Sequence, residues 1–122
     1  LIDKEYNVDG SCSIVLTDKG KMRTLRYIFS EMKIKNKKWD GKWRIVIFDI
    51  PEKIRNGRNA IRWKLKNLGF YELQKSVFVF PYECKNEVEF VVEFFSLKKY
   101  IRYGILDTID NDMHLREIFN IK

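Results

Sequence analysis

A chain of 122 residues with 45% hydrophobic and 15% aromatic residues has the length of one domain plus a small appendage, and is too apolar for a disordered tail. Its 24 Lys and Arg outnumber 17 Asp and Glu, a formal charge of +7 that favours polyanionic partners such as nucleic acid or an acidic membrane surface and says nothing of fold. There is no run of about 18 apolar residues to span a bilayer and no visible signal peptide.

The sequence opens on Leu1 instead of methionine, as a segment from inside a longer chain would. Leu1 to Tyr6 reads as a strand, Val8-Asp9-Gly10 as a turn, and Ser11 to Leu16 as a second strand with Cys12, Ile14 and Leu16 alternating; Asp-Gly between two such runs signals a hairpin. Thr17 is placed to cap a helix running to about Met32, with Met22, Leu25, Ile28, Phe29 and Met32 on one face. A hairpin followed by a helix is what the end of a winged-helix domain looks like, and the recognition helix of such a domain would lie upstream of Leu1. The stretch KIKNKKWDGK that follows is dense in lysine and reads as a solvated basic linker. The expected organisation is therefore an appendage over residues 1–33, a linker over 34–42 and a domain over 43–122.

From Trp43 the pattern becomes strand, helix, strand, strand, helix, strand. Trp43 to Ile50 is nearly continuous in apolar residues, as a central strand would be. A helix from about Arg55 to Leu68 stops at Gly69, and two short strands, Tyr71 to Gln74 and Ser76 to Pro81, break near Lys75. Asn86 is expected to cap the next helix, answered by Glu89 as in a capping box. Its inner face is Val88, Val91, Val92 and Phe95, while Phe90 and Phe94 form a second apolar face that points to a contact between copies. Ile101 to Asp107 is the last strand, and Asn111 to Phe119 a short terminal helix. The order βαββαβ predicts an α+β, ferredoxin-like sandwich, an antiparallel sheet with two helices on one face.

Arg55, Arg58, Arg62 and Lys66 recur at spacings of three and four, so they share one helix surface beside the stripe of Ile54, Ile61, Leu65 and Leu68. Arginine's planar fork takes phosphate oxygens bidentately, and Glu52 is the only carboxylate expected near this helix, too few for pairing within the helix to neutralise it, so the stripe is a candidate phosphate track on nucleic acid. Asp49, at the end of the central strand, supports two readings. It could tie down the turn before Pro51, or hold a divalent ion, for which a two-fold axis would have to supply a second Asp49 because magnesium wants one or two carboxylates plus substrate phosphate. Cys12 and Cys84 stand far apart with no other ligand-type residues near them, so neither a disulfide framework nor a zinc site is expected, and a reducing cytoplasm is the expected compartment. Cys84 reads as buried filler, and His114, the single histidine, as a surface or packing residue.

The run Trp43-Arg44-Ile45-Val46-Ile47-Phe48-Asp49-Ile50, then Arg58 and Arg62, then Leu73-Gln74-Lys75-Ser76-Val77-Phe78, resembles the CRISPR-associated Cas-two family, small ferredoxin-fold proteins that dimerise and work on nucleic acid. The resemblance covers roughly Lys42 to Asp107. It implies a magnesium-dependent endonuclease, or a duplex-holding partner of a CRISPR integrase in spacer integration. Asp49 would then be the metal ligand and catalytic carboxylate, Arg58 and Arg62 would bind phosphate, and Ser76 and Phe78 would lie beside the dimer cleft as further catalytic candidates. The first forty residues depart from that family. A wing-like hairpin, the motif Leu16-Thr17-Asp18-Lys19-Gly20-Lys21 and the bridge Trp39-Asp40-Gly41-Lys42-Trp43 are more similar to the PaaX-type transcriptional repressors, in which a winged helix precedes a Cas-two-like domain that mainly dimerises. The sequence thus leads to a homodimeric, PaaX-type regulator binding double-stranded DNA, with the magnesium-dependent enzyme as the alternative.

Overall fold

The computed structural model describes the backbone of residues 4–7, 13–16 and 18–121, and the side chains of residues 20–121. The chain forms two compact units, residues 1–32 and 33–122. In the first unit, β1 (Lys4–Asn7) pairs antiparallel with β2 (Ser13–Leu16), Lys4 opposite Leu16 and Asn7 opposite Ser13, and α1 (Asp18–Glu31) follows. The proposed turn at Val8-Asp9-Gly10, Cys12 and the capping role of Thr17 lie outside the described residues. Leu25, Ile28, Phe29 and Met32 are half-buried, as their spacing predicts, while Met22, at the edge of the same face, is 46% exposed.

The second unit runs β3 (Trp43–Phe48), α2 (Arg55–Asn67), β4 (Tyr71–Gln74), β5 (Val77–Phe80), α3 (Lys85–Phe94), β6 (Ile101–Leu106) and α4 (Asp112–Ile118). Its sheet has the order β4-β5-β3-β6 with every neighbouring pair antiparallel, which is the ferredoxin-like arrangement that βαββαβ predicts. Because side chains alternate along a strand, β3 presents Val46 and Phe48 to one face and Trp43 and Ile45 to the other. On the first face Phe48 stacks on Phe78, their registers placing them in adjoining strands, and the guanidinium of Arg62 in α2 lies over the Phe78 ring. Helix α2 ends where expected. Gly69 takes φ +106°, a left-handed conformation that costs other residues strain, and its N–H bonds to the carbonyl of Lys66 while Phe70 N–H returns to Leu65.

The other face is not bare. Leu115 of α4 packs with Trp43 and Val79 in a buried cluster, ringed by Trp39, Leu106, Ile109 and Phe119. Asp112 fixes this helix by accepting from the Trp43 indole at 2.8 Å and from Arg116 at 2.7 Å, and Arg116 in turn covers the Trp39 ring. The start of α3 departs from expectation. Cys84, not Asn86, occupies the cap position and has no side-chain capping bond; the carboxylate of Glu83 instead accepts the Lys85 N–H at 2.8 Å. Phe90 and Phe94 are half-buried and stacked on each other, with Phe94 also edge-on to Phe95, so part of the second apolar face is satisfied by its own aromatics.

The end of the presumed linker is built into this domain. Asp40 accepts the Lys42 N–H in a side-chain turn, Gly41 supplies φ +85°, and the Trp39 indole donates to the Lys42 carbonyl at 2.8 Å. Trp39 then packs at a tilt against Trp43 with ring centroids 5.0 Å apart.

Candidate nucleic-acid interface

Arg55, Arg58, Arg62 and Lys66 of α2 do share a surface, but they are not unpaired. Glu52, in the 3-10 turn before the helix, lies 3.7 Å from Arg55 and 3.1 Å from Arg58. Glu72 of β4 takes the other two, at 2.7 Å from Arg62 and 2.9 Å from Lys66. Hydrogen bonds from Lys66 first and Arg62 second hold the Glu72 carboxyl below the usual range. Nearness in sequence made Glu52 look like the only partner; strand pairing brings in Glu72 from across the helix–strand connection. Four cations facing two carboxylates still leave an excess of two positive charges. Arg62 has a structural task as well, since it also donates to the carbonyl of Lys75 and so fastens α2 to the β4–β5 turn. Arg55 and Lys66 are the more exposed pair, and exposed ion pairs of this kind contribute only about 0–1 kcal/mol, little enough for a phosphate to displace.

The catalytic candidates lie near one another, since Phe48, which precedes Asp49, bonds to Ser76 and stacks on Phe78, but they differ in exposure. Phe78 is fully buried in the core, so its ring cannot line an accessible cleft. Ser76 is half-buried in the β4–β5 turn, where its carbonyl accepts the Phe48 N–H at 3.1 Å. Asp49 is exposed just beyond β3. Its backbone N–H bonds to the Tyr100 carbonyl at 2.9 Å, but its carboxylate forms no hydrogen bond or ion pair with any described residue, so it does not tie down the turn before Pro51. It lines an open depression of about 270 Å³ together with Ile47, Lys99, Tyr100 and Arg102.

Among the described residues no three Asp, Glu, His or Cys side chains converge as metal ligands. A lone carboxylate sharing its depression with a lysine and an arginine does not fit magnesium within one chain, since the two cations oppose a third positive charge.

The remaining reactive groups are structural. Cys84 is fully buried against the Tyr103 hydroxyl, and burial pushes its thiol up to about 12, far from a nucleophilic thiolate at neutral pH. His114 is exposed, edge-on to Tyr71. Lys99 and Arg102 were not singled out by sequence reasoning. They follow α3 in an apolar context without helical periodicity, and only the fold sets them around Asp49.

Comparison with known proteins gives one result. Residues 36–114 match the family model described as the PaaX protein central Cas2-like domain. Neither the curated proteins nor the solved structures yield a match. Among the described residues no helix is long and apolar enough to cross a membrane.

Proposed function

The chain belongs to the PaaX family, through its central Cas2-like domain, and on that premise we propose that it serves as a DNA-binding transcriptional regulator of the PaaX type. The Cas2-like unit pairs with a second copy and holds duplex backbone by charge, while the hairpin and α1 represent the tail of a winged-helix reader. The observation that carries this reading is the family match over residues 36–114. The excess positive charge along α2 supports it. Magnesium-dependent cleavage or spacer integration draws no support from Asp49 of one chain, for the electrostatic reason given above.

Duplex binding measured across salt concentrations tests the proposal. Each phosphate neutralised contributes about −0.9 to the slope of log K against log salt, so Arg58→Glu with Arg62→Glu should flatten the slope and weaken binding alike across sequences. Sedimentation at micromolar protein should give twice the monomer mass. Affinity indifferent to salt would overturn the nucleic-acid reading, and a monomer would overturn the pairing.

A further inference from the structure

The depression at the tip of β3 has the wrong charge for a cation and the right one for an anion. Two of its five lining residues, Lys99 and Arg102, are cationic, and both side chains are exposed. Neither forms an ion pair with any described residue, in contrast to Arg55, Arg58, Arg62 and Lys66 of α2, which are engaged by Glu52 or Glu72. Their heads are steered without being neutralised. The Lys99 ammonium sits 5.4 Å from the Tyr100 ring centroid, and one Arg102 Nη donates to the Ile101 carbonyl at 3.1 Å, leaving the remaining guanidinium N–H groups free to point elsewhere. The depression is also framed by backbone that cannot drift. Asp49 N–H is bonded to Tyr100 and Phe48 N–H to Ser76, so the β3 tip is clamped between the β4–β5 turn and the segment leading into β6.

We propose that Lys99 and Arg102 form a phosphate subsite for the backbone of duplex nucleic acid, and that Asp49 weakens it by repelling the phosphate instead of recruiting a metal. This rests on the nucleic-acid reading above and gives the cations outside α2 a defined part in it. The arginine fork suits two phosphate oxygens, and the lysine adds a point charge from the adjoining segment. An unpaired carboxylate beside them lowers the net charge of the subsite and keeps the contact weak.

The test uses the full chain and a duplex of arbitrary sequence, with thermal melting to show that each variant is folded. Lys99→Gln with Arg102→Gln should flatten the salt slope by roughly 1.8, the loss of two phosphate contacts. Asp49→Asn should tighten binding roughly two- to fivefold at low salt, the size of one exposed charge interaction. Adding inorganic phosphate at constant ionic strength should compete weakly in the parent protein and less in the double variant. Duplex binding whose slope survives Lys99→Gln and Arg102→Gln overturns the subsite while leaving the regulator reading intact. So does Asp49→Asn binding that is unchanged or weaker. A parent protein that does not bind duplex overturns both.

Discussion

Asp40→Ala should be among the most damaging single changes outside the core, although nearly half of its carboxylate is exposed. Arg44 is the reason. Its side chain is 5% exposed, and the Asp40 carboxylate, itself 48% exposed, meets it as a fork at 2.9 and 2.6 Å. Pro81 and Lys42 carbonyls take further Arg44 bonds at 2.8 and 3.2 Å, Glu83 stands 3.9 Å away, and Arg44 Nε has no partner. Removing the partner of a buried charge costs about 3–5 kcal/mol. Because two carbonyls remain and water can enter at the exposed Asp40 side, roughly 2–3 kcal/mol is expected here. Urea denaturation followed by the fluorescence of Trp39 and Trp43 should show the midpoint falling by about 1 M. Arg44→Met in the Asp40→Ala background should recover most of the loss, because the penalty lies in the stranded charge.

The same pair sets a pH dependence. The hydrogen bond from Arg44 holds the Asp40 carboxyl at about 2, below its ordinary 3.8. A depressed carboxylate contributes stability that is fully present above about pH 4 and lost as pH falls toward 2. Solvent screening of the half-exposed carboxylate brings that contribution to roughly 1 kcal/mol. A destabilisation below about 0.5 kcal/mol in Asp40→Ala would refute the reasoning, showing that Glu83 or water carries the Arg44 charge unaided.

Two further outcomes follow from the geometry. Glu72→Gln releases Arg62 and Lys66 from their shared carboxylate, so duplex binding should tighten and its salt slope steepen by about 0.9 to 1.8; an unchanged slope would mean that those cations never reach phosphate. Gly69→Ala should cost about 1 kcal/mol or more in the same denaturation assay, because φ is +106° there and an added Cβ would come within 3.2 Å of the Phe80 ring.

What the sequence determined by itself is what short-range periodicity encodes. The apolar run from Trp43, the stripe of Ile61, Leu65 and Leu68 with its stop at Gly69, the short strands on either side of Lys75, the valines of α3 and the run from Ile101 specified six elements in order, and that order specified the ferredoxin-like sheet. The cation stripe was legible too, because residues three and four apart on a helix must share a face. The charge balance of that stripe was not. Glu72 answers Arg62 and Lys66 only because β4 runs alongside α2, and no spacing rule reports a partner on another element. The same limit explains Asp40, which looked like part of a solvated run until folding set its carboxylate against the buried Arg44 of β3. It explains Phe78, whose motif suggested a cleft while strand alternation turned its ring toward α2. At Asp49 the sequence could pose metal ligand against turn cap. Tertiary structure alone decided that the carboxylate caps nothing and shares an open depression with Lys99 and Arg102, because electrostatic environment is summed over space and those two cations come from the segment after α3.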